Sequence, residues 1–485
     1  MIRYVLGLMI LMLMACTPKS NDPEFTIVDF ENGLTVAYNY LAIFGNNYQP
    51  INDLSSDQIG IPGLGANLTI GDNLKELLTH TWTPGNTMVN NLWTNLYNGV
   101  NAANNTLAIA AEVAEEIGAD ELAEARALRA FEFFLLMDVF GNVQAFKEDV
   151  LSGNVSVPQL KRAEVFTFIE TELKEIIPLL KPEPSYGKIT RPVAQAILAK
   201  LYLNAEVYTG TANWAACRDA CAAIIASNAY HLVDDYFDLF AIENATLADQ
   251  SLLMVSTIPP SIHPSRLTIH PAQINVNSPS TSGFQNWAAI PEFYNLFDKI
   301  NDKRALAFLI GPQKTANGTA ILDASGNPID YTSDYRNTSI YNSGARVLKY
   351  ALDPTKTNYG DNDIVILRYA DVLLMEAEAL NELGDLNGAV ALINQVRARA
   401  YTVAAPLNVG DFTQESLRAQ ILKERSQELM WEGWRRQDLI RHGQFCSGTW
   451  TQKLTVDDDC EKRKLFPIPQ SVLDVNATLV QNPGY

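Results

Sequence analysis

The stretch ILKERSQELMWEGWRRQDLIRHG, residues 421–443, is the element around which the chain organises. On a helix advancing about 100° per residue, Leu422, Leu429, Gly433 and Ile440 share one narrow stripe. Arg425, Glu428, Glu432, Arg435 and Arg436 run along one flank of it. Glu432 stands three and four residues before Arg435 and Arg436, within reach of either on one helix. Trp431 and Trp434 take other faces, leaving little surface for open water. This pattern predicts a helix wedged between neighbours with its ions paired. A solvated, salt-bridged helix is the alternative that charge alone leaves open.

Three further stretches accompany it. Residues 124–142 read EARALRAFEFFLLMDVFGN, 201–210 read LYLNAEVYTG, and the chain closes on LFPIPQSVLDVNATLVQNPGY at 465–485. With Glu428, Glu432-Gly433, Arg435-Arg436 and Asp438-Leu439-Ile440-Arg441-x-Gly443, they resemble the SusD/RagB family of outer-membrane nutrient-binding lipoproteins. That resemblance implies a mostly α fold, with tetratricopeptide-like helical hairpins as scaffold and long irregular ligand-binding loops. It implies capture of a nutrient, most often a glycan, and its delivery to a partner SusC-like TonB-dependent transporter. Some members of the family handle peptides, so a peptide ligand stays open, as does a polysaccharide-degrading enzyme.

The 485 residues are 47% apolar and 19% charged, which fits a globular chain long enough for a large core. The formal charge of −19 argues against nucleic acid, whose phosphates would be repelled. At the N-terminus, Arg3 precedes the apolar run Val5–Met14, too short to span a bilayer. Leu13-Met14-Ala15-Cys16 resembles a lipobox, so residues 1–15 are expected as a leader and Cys16 as the acylated anchor in the outer membrane. An ordinary signal peptide that contains a Cys is the alternative. Residues 16–26 form a tether, and 27–485 are expected as one domain. Cys217 and Cys221 suit a helical core. Cys446 and Cys460 flank a loop and are candidates for a bridge in an oxidising compartment.

Along that domain, helical spacing marks 27–44, 88–116, 121–140, 162–180, 190–209 and 213–227, then 366–384, 386–400 and 414–443. Helical scaffold is thus expected over about 88–250 and 366–443. Gly210 and Ala215, and again Gly384 and Ala389, repeat the spacing of a tetratricopeptide hairpin. Residues 45–87, punctuated by Gly and Pro, and 251–364, rich in Gly, Pro, Ser and Asn, are expected to be loop-rich, and the family resemblance implies that both carry ligand contacts. Within the second region, only 290–298 and 301–309 look helical.

The five histidines show no zinc spacing, and Asp457-Asp458-Asp459 lacks the EF-hand order, so no metal or other cofactor is expected. No phosphate loop or nucleophile elbow appears, and no catalytic residue is assigned. Loop aromatics carry the binding expectation. Trp82 lies beside Asn86 in HTWTPGNTM, and Trp287 follows Asn286 in TSGFQNWAAIP. An indole face with amide donors complements the apolar face and hydroxyl rim of a sugar. Asp57, in DLSSDQIG, falls in the region that the resemblance assigns to ligand contacts. For each Trp, the alternative is a buried peg under a loop.

Overall fold

A computed structural model describes residues 25–62, 71–148, 157–247, 251–258, 287–315, 317–323, 325–335, 342–353, 360–403, 405–453 and 460–485. Helix α1 (Ile27–Asn39) opens on a capping box between Thr26 and Asp29. The expected loop at 45–87 is in part helical: α2 (Gln49–Leu54) and α3 (Asp72–Thr79) lie within it. Next come α4 (Thr87–Glu112) and α5 (Ala119–Phe140), and α5 buries nearly every side chain from Ala123 onward. Helix α5 packs between α4 and α6 (Arg162–Ile176), while α1 lies on α4. Most of the polar groups that α5 carries inward are paired, the buried Glu132 carboxyl being the exception. Arg129 donates to Asn104 at 2.8 Å and to Glu172, and Asp138 accepts the hydroxyls of Tyr48 and Tyr208, each at 2.7 Å.

The run at 190–209 divides at Asn204 into α7 (Arg191–Leu203) and α8 (Ala205–Thr209). Helix α9 (Trp214–Ala226) packs on α7 and on α10 (Tyr369–Glu382), and α10 pairs with α11 (Leu386–Ala400). In the α10–α11 hairpin, Ala389 is fully buried at the contact, as the repeat spacing predicts. The first hairpin differs: Ala215 is exposed, and Cys217 and Cys221 fill the inner face of α9. Both thiols are free and buried. Cys446 and Cys460 form a disulfide with their Cα atoms 5.3 Å apart.

The mid-chain region holds antiparallel ladders too short to leave a period in the sequence. They are β1 (Ile59–Gly60) with β3 (Ala288–Ala289), β2 (Leu252–Ser256) with β8 (Ile364–Arg368), β4 (Phe308–Leu309) with β7 (Arg346–Val347), and β5 (Gly311–Pro312) with β6 (Asp330–Tyr331). The helix expected at 290–298 is the single turn Pro291–Tyr294, and 301–309 is a 3-10 turn at Lys303–Ala307 running into β4. Among the described residues, most buried apolar side chains form one contiguous core, and Ile321, Ile329 and Tyr331 form a small separate cluster.

The largest correction falls on residues 414–443. They form two helices, α12 (Gln414–Glu428) and α13 (Arg435–Arg441), separated by a turn in which Trp431 and Gly433 take φ of 55° and 77°. A Cβ on Gly433 would stand 3.0 Å from the Cα of Gln49, so α2 approaches to a distance that only glycine allows. Side chains from the α2 region satisfy the turn. Gln58 accepts from the Trp431 N–H at 3.1 Å, and Asp53 accepts from the Gly433 N–H at 3.1 Å.

The turn also redirects the charges. Glu432 pairs with Lys349 at 2.6 Å and Arg368 at 2.8 Å, rather than with Arg435 or Arg436. Glu428 accepts from Arg368 at 2.6 Å, from Arg304 at 3.0 Å and from Arg399. Arg435 holds Asp57 through two 2.7 Å bonds, and Arg436 donates to the Arg463 carbonyl at 2.9 Å. On α12 and α13, Arg425 binds Asp438 and Asp371, each at 2.9 Å, and Arg441 binds Glu378 at 2.6 Å. These side chains are buried, so the solvated-helix alternative does not hold. Ions this deep persist only when every partner is in place. The network therefore fixes the loop-derived Arg304 and Lys349 to the helical scaffold.

Candidate functional site

The early loop, the mid-chain loops and the segment after the α13 end come together around β1 and β3. Ile59 pairs with Ala289 and Gly60 with Ala288, and Ala289 bridges to Ala345 just before β7. The Gln452 carboxamide spans the backbone of Ile61, its Oε1 accepting the N–H at 3.0 Å and its Nε2 donating to the carbonyl at 2.5 Å. The Tyr335 hydroxyl donates to the Ala288 carbonyl at 2.9 Å, and burial pushes that phenol well above its ordinary range. Gly60 sits where these meet: a Cβ there would lie 2.6 Å from the Gln452 Oε1 and 2.9 Å from the Tyr335 hydroxyl. Glu292 accepts from the Thr451 N–H and hydroxyl, at 2.9 and 3.0 Å. Four separate segments are thus locked into one floor, rich in amide and hydroxyl groups. These groups are spent on one another, so what they do is hold the four segments in register.

Of the residues singled out in the sequence, Trp287 belongs to this floor and four do not, or lie beyond description. The Trp287 carbonyl accepts from Arg346 at 3.0 Å, but its side chain is buried in the main core at 7% exposed, which corrects its expected role as an exposed stacking surface. Asn286 lies outside the described residues, as do Cys16, His263, His270 and Asp457–Asp459. Trp82 is fully buried, which corrects its expected role as a stacking surface. Its indole N–H donates to the Tyr485 hydroxyl at 2.6 Å, and its ring packs edge-on to Phe466. Asn86 is corrected likewise. It is 1% exposed, caps α4 by accepting from Met88 and Val89 at 3.1 and 3.2 Å, and donates to Glu76 at 2.8 Å. Asp57 is engaged by Arg435, which removes it as a free ligand contact. Trp82 and Trp287 therefore do not form one open platform.

Sequence reasoning missed Arg304, Lys349 and Arg368, the loop and strand cations that Glu428 and Glu432 hold. A signal was present for two of them, lone cations among apolar or aromatic neighbours in Val347-Leu348-Lys349-Tyr350 and Ile366-Leu367-Arg368-Tyr369, but not for Arg304, which follows Asp302-Lys303. Among the described residues, no three His, Cys, Asp or Glu side chains come together as a metal site requires.

Comparison with known proteins adds independent findings. A family model described as the SusD family matches residues 289–485, and one described as starch-binding associating with outer membrane matches residues 18–203. The starch-binding protein SusD of Bacteroides thetaiotaomicron is 26% identical over 415 residues, covering 75% of this chain and 72% of its own. A SusD superfamily protein of Parabacteroides distasonis superposes with a TM-score of 0.78 at 21% identity, over 95% of this chain and all of that one (100%). Surface glycan-binding protein A of Bacteroides thetaiotaomicron, solved with laminarihexaose, superposes at 0.74 with 21% identity, over 94% of this chain and 100% of that one.

Proposed function

Because the chain belongs to the SusD/RagB family, we propose that it captures a glycan at the cell surface and passes it to a SusC-like TonB-dependent transporter in the outer membrane. The observation that carries this reading is the floor at β1 and β3, where the loop-rich regions meet and are locked to the helical scaffold through Glu428 and Glu432. Support from outside the chain comes from relatives whose names record starch and laminarihexaose as ligands. Trp287 lies in that floor, and Asn286, the residue before it, is assigned to the same binding region. The role is binding without turnover. Calorimetry of protein lacking residues 1–16 against a panel of neutral glycans and of peptides tests it. Saturable heat with a glycan, and no new reducing ends over hours, is the expected result. Saturation by peptides alone moves the ligand class, and accumulating reducing ends replace binding by hydrolysis.

Anchoring through an acylated Cys16 belongs to the same proposal, and Cys16→Ala addresses it directly. The variant is expected in the soluble fraction with an unchanged melting temperature, since the described core begins at Phe30. Retention in the membrane fraction would refute the anchor.

A further inference from the structure

The segment after α13 reaches the floor through a loop whose base is closed by a covalent bond. Cys446, in the short helix Gln444–Ser447, and Cys460, which opens the short helix Cys460–Arg463, lie 14 residues apart in sequence and form the disulfide. Within the loop, Trp450 and Lys453 exchange backbone hydrogen bonds at 3.1 and 2.9 Å, making a tight turn with Thr451 and Gln452 at its tip. Both tip side chains leave the loop for the floor. Thr451 reaches Glu292, and the Gln452 carboxamide takes the N–H and the carbonyl of Ile61, as a neighbouring strand would. Strands β1 and β3 pair over two residues, too few to keep register unaided. Gln452 adds the missing support.

Holding Gln452 there is locally unfavourable. Its φ is 75°, in the left-handed region that residues with a side chain rarely adopt, and such backbone persists where its surroundings over-determine it. Between Ser447 and Lys453 the loop has no regular structure beyond that turn. Lys453 turns back to the Phe445 and Gly448 carbonyls at 2.6 and 2.7 Å, which fastens the turn to the first half of the loop. The disulfide fastens it to the second half, where Arg463 donates to the Trp82 carbonyl at 2.5 Å and its own carbonyl accepts from Arg436. A crosslink at the base removes many of the open conformations that the loop would otherwise sample. Cys446 is half-buried, so its sulfur is within reach of another thiol, whereas Cys217 and Cys221 are sealed in the core.

We propose that the Cys446–Cys460 disulfide is a maturation lock on the floor: closing it sets Gln452 in place, and Gln452 as a positioning residue keeps β1 in register with β3. The closing step is a thiol–disulfide exchange. The two thiols give up two protons and two electrons as the S–S bond forms, and the disulfide of an oxidising protein is reduced to two thiols. The lock itself stands on these contacts, and its effect on ligand affinity rests on the glycan reading. The test is hydrogen exchange on the whole chain in three forms: unaltered, reduced with a phosphine and checked by thiol alkylation, and Cys446→Ala with Cys460→Ala. In both open forms, exchange in peptides covering 57–62 and 287–297 is expected to be about tenfold faster, with α4 and α5 unchanged. Gln452→Gly keeps the left-handed turn without strain and removes the carboxamide, and is expected to give the same acceleration with the disulfide intact. Equal exchange at 57–62 in open and closed forms, or in Gln452→Gly and the unaltered protein, overturns the proposal. Where one open form is not obtained, the other decides. Glycan affinity is expected to fall together with protection of the floor. Faster exchange in the open forms of a protein that binds no glycan in either state supports the lock and overturns the glycan reading instead.

Discussion

Replacing Glu428 by Ala is expected to cost about 3–5 kcal/mol, a large share of the 5–15 kcal/mol that typically holds a domain together. The loss strands the buried Arg399 guanidinium and takes one partner each from Arg304 and Arg368, which keep Asp302, Glu424 and Glu432. An exposed pair such as Glu170 with Lys174 should cost less than about 1 kcal/mol when broken, and serves as the control. A shift of the urea midpoint at constant slope reads the difference. The same network sets a pH dependence. Burial raises the Glu428 carboxyl, but the charges of Arg399, Arg368 and Arg304 outweigh it and hold the group well below its ordinary 4.5. A lowered carboxylate contributes stability that is present above the unfolded value and lost as pH falls toward the folded one. Unaltered protein should therefore lose stability progressively below about pH 4.5, and Glu428→Ala should flatten that slope.

Trp82→Ala should behave as a core truncation, costing about 3–5 kcal/mol. It removes a fully buried indole, its edge contact with Phe466 and the donor to the Tyr485 hydroxyl. The closing segment loses its seat as well, because Tyr485 lies against Lys462 and Leu465 through the same hydroxyl. Measured at a temperature where the variant is folded, glycan affinity should match that of the unaltered protein. A tenfold loss of affinity with an unchanged melting temperature would instead make the indole a binding surface.

The helical scaffold was legible because α4 and α5 are long and α5 is apolar nearly all round, so local pattern and tertiary burial agree. The turn at 429–434 was not, since Leu429, Met430 and Trp431 suit a helix and Gly433 alone marked the break. What breaks the helix lies far off in the chain, at Gln49, Asp53 and Gln58. Distance in sequence also misassigned the site. Trp82 sits in a stretch that looks like an exposed turn, and only the C-terminal Phe466 and Tyr485 bury it. Asp57 and Asn86 look like free polar contacts until Arg435 and the first turn of α4 claim them. The floor rests on two-residue ladders, and pairs that short leave no alternation to read. The expectation that the early and mid-chain loops belong together stood on the family resemblance, and β1 pairing with β3 gives it a physical form.

Hydrogen exchange tests most directly that ligand capture occurs at that floor. Protein lacking residues 1–16 is compared alone and saturated with the tightest glycan of the panel. Slowed exchange is predicted in peptides covering 57–62, 287–297, 342–350 and 450–453, with the α10–α11 hairpin unchanged. Protection confined to the helical hairpins, with those four segments exchanging as before, would contradict it.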